Sequence, residues 1–221
     1  MFFISQDILL LLVIKLSKVN VIESNHSSAL LIFVKNAELG KVKTRLASTV
    51  GNDQALKIYL SLLSHTRQIA EHIKADRLLF YSSFINDNDQ WSEDTFTKYL
   101  QEGIELGDRM TQAFKIAFEN HDKVIIIGSD CPSLTTEIIE EAFQALKSYP
   151  FVVGPAMDGG YYLLGMNNFE SSVFKNIDWS TNKVFDQTLE HIKKLDKACY
   201  LLPELSDIDY EEDWNEYGWD V

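Results

Sequence analysis

Cysteine is scarce in this chain, two residues in 221 (Cys131 and Cys199), and no CxxC spacing occurs. That excludes a disulfide framework and points to a reducing compartment. No HExxH links any of the five histidines, so neither they nor the cysteines suggest a zinc site. Positive charge is also short: 20 Lys+Arg stand against 33 Asp+Glu, a formal net charge of −13. Such a balance argues against a surface that neutralises nucleic-acid phosphates or anionic lipid. Any polyanion must therefore be met locally. The apolar run Ile8–Ile14 is seven residues long, whereas a bilayer-spanning helix takes about 20. Asp7 precedes that run where a secretory signal would be positive, and no A-x-A site follows, so a cytoplasmic location is expected. Residues 1–28 are read as an extension of unassigned role. No Pro/Gly/Ser-rich linker interrupts the rest, which reads as a single domain, 29–221.

What is present is ordinary globular composition, 46% hydrophobic and 24% charged. "ALLIFV" (29–34) is a short apolar run with no helical period and reads as a buried strand. Residues 35–51 show no clean period and are expected to form a loop. From Asn52, the expected N-cap, Ala55, Ile58, Tyr59, Leu62, Thr66, Ile69, Ala70 and Ile73 trace one face of a long helix. "RLLFY" (77–81) reads as the next strand and "DRMTQAFKIAFEN" (108–120) as a helix. "KVIII" (123–127) is a strand, and a helix follows, capped by Thr135 or Thr136. "FVVGPA" (151–156) and "YYLLGM" (161–166) are strands flanking a Gly-Gly turn. A capped helix over 180–195 and a strand "CYLLP" (199–203) follow. From Glu204 the tail carries eight acids and no base, a pattern more often solvated than structured. Strands alternating with helices predict an α/β fold, a Rossmann-like, mainly parallel sheet flanked by helices. Ligands are then expected beyond the carboxyl ends of the strands.

Three loops leave those ends. The first, 35–51, gathers Lys35, Lys41, Lys43 and Arg45 around Gly40, a residue that lets backbone approach a ligand closely. Phosphate is the natural guest, although spacing alone leaves a solvated basic loop equally open, since this is no Walker A sequence. In the second, "GSDCP" sets Asp130 just past a buried strand, where a carboxylate suits a hard divalent cation or caps a turn. Cys131 beside it lacks an assigned base and reads as a packing residue. In the third, "MDGGYY" places Asp158, Gly159, Gly160 and Tyr161 at a strand edge. Asp-Gly is a turn signal by itself; in a site, the glycines would leave room for substrate while Asp158 and a tyrosine bind hydroxyls. "ELGDRM" sets Asp108 and Arg109 at a helix start, either as structural residues or as substrate contacts.

Taken together, K-x-A-x-x-G-K-V-K-T-R-L, E-L-G-D-R-M, I-G-S-D-C-P-S-L, G-P-A-M-D-G-G-Y-Y-L-L-G, W-S-T and D-I-D-Y-E-E-D resemble one family in order and spacing. It is the bacterial, glycosyltransferase-like family of radical-SAM/selenodomain-associated transferases, akin to the 2-phospho-lactate guanylyltransferases. The resemblance covers residue 29 to about Trp214. It implies the nucleotide-diphospho-sugar transferase fold (type A glycosyltransferase) and a metal-dependent transferase acting on a nucleotide or nucleotide sugar with a small acceptor, with glycosyl and nucleotidyl transfer both left open. It further implies that Lys35 and the Gly40–Arg45 loop cradle nucleotide phosphates and that Asp130 holds Mg2+ or Mn2+. Asp207 or Asp209 would match the late acidic motif of nucleotidyltransferases, with Asp209 the chosen second metal residue. Lys43 and Arg45 would stabilise phosphate charge, and Asp158 would position or deprotonate the acceptor. Ala37 stands where the family pattern has Pro, and residues 1–28 have no counterpart. A non-catalytic nucleotide-binding module of the same fold is the competing expectation. Neither the base, the sugar, the acceptor nor the oligomeric state is encoded legibly.

Overall fold

The computed structural model describes residues 28–221, so all but the last residue of the 1–28 extension lies outside the described residues. Seven strands form one sheet: β1 (Ser28–Val34), β2 (Asp76–Tyr81), β3 (Thr97–Leu100), β4 (Lys123–Ile127), β5 (Phe151–Pro155), β6 (Tyr161–Met166) and β7 (Cys199–Leu201). Their order is β3-β2-β1-β4-β6-β5-β7. All neighbours are parallel except β6, which runs antiparallel to both β4 and β5. The helices are α1 (Thr44–Val50), α2 (Asn52–Glu71), α3 (Leu106–Ala117), α4 (Thr136–Ala145), α5 (Val184–Lys194) and α6 (Glu211–Tyr217), with a 3-10 turn at Ser171–Phe174.

The period-2 geometry of β1 divides its side chains between two cores. Leu30, Ile32 and Val34 face α2 and α4, packing with Tyr59, Leu63, Ile139 and Ala142. Ala29 and Leu31 face α3 and α5, packing with Met110, Phe114 and Ile192. Because both faces are covered, the central strands read as continuous apolar runs rather than alternating ones. A third, smaller cluster joins Leu46 of α1, Ile58 of α2 and Ile208, with Trp214 and Tyr217 of α6 against it.

Several expectations need correction. The 35–51 segment is not a structureless loop, since α1 occupies its second half. That helix escaped the sequence because it is short and buries one large apolar side chain, Leu46. Its successor α2 is capped by Gly51, not Asn52, which is already helical. β3 was not expected, nor was α6, whose Trp214 and Tyr217 anchor a tail that looked solvated. α5 begins at Val184 rather than near Ser180, because Ser180 sits at φ 62° and cannot continue a right-handed helix. Among the described residues, no helix is long and apolar enough to cross a membrane.

Candidate active site

β1 sends its chain one way across the sheet, to β2 and β3, while β4 lies on its other side. The crevice beyond the carboxyl ends of such a strand pair is where open α/β sheets bind ligands. The loop after β1 ends at Lys43, the cap of α1, whose first turn carries Arg45; the loop after β4 carries Asp130. The segment following β7 returns across the same edge and brings Asp207, Ile208 and Asp209. An isolated bridge between Ala156 and Leu205 ties that returning segment to the end of β5. The amide of Ile208 then donates to the carbonyl of Asp130 at 2.9 Å.

Lys43 is the centre of the cluster. Its Nζ lies 3.1 Å from Asp130 Oδ2 and 3.9 Å from Asp209 Oδ1, and it donates to the carbonyl oxygen of Ile208. Only 6% of its side chain is exposed. The residue is held at φ 46°, ψ 46° as the cap of α1, left-handed backbone that non-glycine residues seldom adopt. Arg45 binds the other oxygen of Asp209 at 2.7 Å and stays open to solvent, 58% exposed, with its guanidinium 6.0 Å from the centre of the Tyr210 ring.

The three acids differ in environment. Burial pushes the Asp130 carboxyl up, but the charge and hydrogen bond of Lys43, assisted by Lys35, prevail and hold it below its ordinary value. Asp207 goes the other way: burial first, then the charge of Asp130, lift its carboxyl well above the usual range; Asp158 and Asp209 add to this, and Lys43 offsets it only in part. Its Oδ1 is shielded from solvent and has no hydrogen-bond partner, a costly condition for a polar atom. Among the described residues, no group of three or more His, Cys, Asp or Glu side chains is arranged to hold a metal ion.

Other expected residues fall outside this cluster or serve the scaffold. Lys41 is paired with Glu38 at 2.7 Å and points to solvent, 68% exposed. Gly40 supplies the positive φ of 73° that turns the loop, and Lys35 is fixed through its backbone, which exchanges hydrogen bonds with the Tyr59 hydroxyl. Asp158 folds back to accept from the Gly160 amide at 2.8 Å, yet its charge reaches Asp207. Gly159 does not leave room for a ligand: a Cβ there would lie 2.3 Å from the carbonyl oxygen of Asn182, and its own carbonyl accepts from the Phe185 amide. The space belongs to the turn before α5. The Tyr161 hydroxyl points at Met110 Sδ, 3.6 Å away, inside the core, so it is not placed to bind a substrate hydroxyl. Asp108, inside the first turn of α3, is occupied in the capping box, its carboxylate accepting from the amide of the cap residue Glu105, and Arg109 donates to the Gly103 carbonyl. Among the described residues, no hydrogen bond or ion pair joins Asp108 or Arg109 to the Lys43 cluster. Cys131 is buried, and that burial pushes its thiol up, as a packing residue requires.

Two supporting residues had no sequence signal. Asn36, buried just past β1, grips the loop after β2: its Nδ2 donates to the Phe84 carbonyl at 2.8 Å, and its Oδ1 accepts from the Ser83 amide at 3.0 Å and the Phe84 amide at 3.3 Å. Tyr59 sits between Lys35 and Ser129, 3.5 Å from the Ser129 hydroxyl, and so links the ends of β1 and β4. Its place on the helical stripe of α2 marked it only as core.

The architecture is that of the nucleotide-diphospho-sugar transferases. A candidate nucleotide-diphospho-sugar transferase of Desulfovibrio desulfuricans G20 superposes with a TM-score of 0.77 at 34% identity, over 83% of this chain and 82% of that one. Two more distant structures share the fold alone. One is the 4-diphosphocytidyl-2C-methyl-D-erythritol synthase of Anaerococcus prevotii DSM 20548 (TM-score 0.54, 10% identity, 87% and 94% of the two chains). The other is the inositol-1-phosphate CTP transferase of T. maritima (TM-score 0.55, 11% identity, 85% and 91%). No curated protein matches the chain. The chain belongs to the family described as "Uncharacterized protein conserved in bacteria (DUF2064)", whose model matches residues 65–181.

Proposed function

We propose that the protein is a metal-dependent transferase acting on a nucleotide or nucleotide sugar, with nucleotidyl transfer to a small acceptor as the favoured reaction. The observation that carries this reading is the meeting, at the sheet's switch point, of Lys43 and Arg45 with Asp130, Asp207 and Asp209. The neighbours named above as cytidylyl-type enzymes lend it support through the shared fold, as does the resemblance of the motifs to the 2-phospho-lactate guanylyltransferases.

The donor set fits a divalent ion. All its atoms are hard oxygens, and the buried Oδ1 of Asp207 lacks a partner, which a cation would supply. Mg2+ and Mn2+ typically take one or two protein carboxylates and complete their shell with phosphate oxygens and water. Asp130 and Asp209, with Asp207 behind them, would hold such an ion. When bound, it supplies neutralisation and Lewis-acid polarisation of the phosphate oxygens.

The chain's own residues do the rest. Arg45, exposed beside the crevice, presents a planar fork suited to phosphate. Lys43 offers a second cation at the chain's closest approach to the acids. Together they would stabilise charge as it develops on the leaving phosphates. Asp158 stands near enough to influence Asp207 and would orient the acceptor, or in glycosyl transfer accept the proton of its hydroxyl. The polyphosphate is thus met locally by a chain that otherwise repels it.

Thermal melting against a panel of nucleotides and nucleotide sugars, with and without Mn2+, tests the reading. A saturating ligand at about 100 times Kd stabilises by about 2.7 kcal/mol, or on the order of 5 to 11 °C. That shift should require Mn2+ and disappear in Asp130→Asn. A shift that survives chelation undiminished would leave Asp130 a turn cap. Ligand binding without turnover of any nucleotide would favour the non-catalytic module.

A further inference from the structure

The oxygen atoms around Lys43 resemble the shell of a small cation. A carboxylate oxygen lies 3.1 Å from Nζ, a second at 3.9 Å, and the Ile208 carbonyl accepts from the same ammonium. The ammonium is almost wholly enclosed, with 6% of its side chain exposed. It reaches this position from left-handed backbone, φ 46° and ψ 46°, a conformation that persists in a non-glycine residue only where its surroundings enforce it. Three residues earlier Gly40, at φ 73°, provides the freedom for that loop to turn. The loop therefore combines a buried charge, an unfavourable backbone conformation and a glycine.

We propose that Lys43 is the resident cation of the nucleotide-free protein, so that the site accepts its divalent ion as the metal–polyphosphate chelate and not as the free ion. This rests on the metal-dependent reading above. A bare ion approaching Asp130 and Asp209 meets an ammonium already bonded to the first and close to the second. To enter, it must drive that ammonium into water with no new partner. A chelated ion brings phosphate oxygens with it. Lys43 then moves a short distance from carboxylate to phosphate, keeping a charge-assisted hydrogen bond throughout, and its backbone is free to leave the left-handed region. Arg45, bonded to the outward oxygen of Asp209, is positioned to meet the same phosphates first. The site is thereby protected from free divalent ions when no nucleotide is present.

Binding of Mn2+ alone to the full chain, followed by loss of the free-ion EPR signal, separates the alternatives. Lys43→Met is expected to bind Mn2+ at least 10-fold more tightly than wild type, while Lys43→Arg, which keeps a cation in place, should remain as weak as wild type. In wild type, pyrophosphate and Mn2+ together should raise the melting temperature by more than the sum of their separate effects. Cooperative melting in EDTA establishes that each variant is folded; Lys43→Gln, which retains a donor for the Ile208 carbonyl, replaces Lys43→Met if the latter does not melt cooperatively. Equal Mn2+ affinity in wild type and both uncharged variants, with a Mn2+-dependent pyrophosphate shift preserved, overturns the resident-cation proposal and leaves the transferase reading standing. Absence of Mn2+ binding in every protein and condition overturns both.

Discussion

Replacing Asp207 by Asn removes a buried carboxylate without changing its shape. In the presence of a chelator, folded Asp207 keeps its proton to higher pH than the unfolded chain does, because burial and the neighbouring acids oppose its charge. An unfolded aspartate titrates near 3.9. Between that value and the raised one the folded state holds more protons, so stability falls as pH rises. Each pH unit of the interval removes about 1.4 kcal/mol at neutral pH, equivalent to about 3–6 °C in melting temperature for a chain of this size. The asparagine does not titrate. Asp207→Asn is therefore expected to melt above wild type at pH 7.5 in EDTA, with the gap closing toward about pH 4, where wild type is protonated. On the metal-dependent reading proposed above, adding Mn2+ with nucleotide should narrow or reverse the gap, since only wild type keeps the negative charge of Asp207 behind the ion. The assay is thermal melting across pH 4 to 8 with and without metal. A variant that melts lower than wild type in chelator, or a gap that does not change with pH, would refute the assignment of Asp207 as a buried acid held against its charge.

Lys43→Ala with Arg45→Ala should weaken a nucleoside triphosphate far more than the bare nucleoside in calorimetric titration, since each charge-assisted contact is worth about 1.5–3 kcal/mol; equal losses would indicate a folding defect. Gly159→Ala forces a Cβ to within 2.3 Å of the Asn182 carbonyl at φ 87°, so it should lower the melting temperature and separate the hairpin tip from the start of α5, seen as faster amide exchange at Phe185. Asn36→Ala removes the three hydrogen bonds that tie the end of β1 to the Ser83–Phe84 segment and, at about 0.5–1.5 kcal/mol net for each bond, should lower stability in urea unfolding; a neutral result would mean that water replaces the side chain at no penalty.

Much of the fold was legible because β1, β4, β5 and β6 are short apolar runs and α2 keeps a clear period through Ala55, Ile58, Leu62 and Ala70. The elements that escaped are those whose residues carry little pattern of their own. α1 fully buries Leu46 alone, with Ala47 and Val50 only partly buried against the same cluster, and β3, with partly exposed side chains, is recruited by pairing with β2. α6 is hidden by acids, yet Trp214 and Tyr217 lie on the cluster around Leu46 and Ile208. For the site, the types and order of Lys43, Arg45, Asp130 and Asp209 were readable, because charged residues just past strand ends share one edge of the sheet. Their pairing was not readable, since it depends on the course of the chain after β7, which no local propensity encodes. Gly159 and Tyr161 of the hairpin differ from expectation for a related reason: Asn182 and Met110, which fill the space around them, come from distant parts of the chain.

The bonds from Lys43 to Ile208 and from Arg45 to Asp209 join positions 165 and 164 residues apart. On a ribosome adding roughly 5–20 residues per second, Lys43 and Arg45 would wait about 10–30 s before Ile208 and Asp209 were made. By the end of that interval every strand of the sheet has been made, the last ending at Leu201, yet the charge cluster is not complete. A chain ended before Ile208 therefore contains the acids that pair with Lys41 and Lys43 in the full structure, Glu38 and Asp130, but lacks the Asp209 that pairs with Arg45. The charge cluster can close only once translation has passed Asp209, and α6, which packs on the Leu46 and Ile208 cluster, comes later still. A product truncated before Ile208 would leave Arg45 without its carboxylate partner and Lys43 without the Ile208 carbonyl and Asp209.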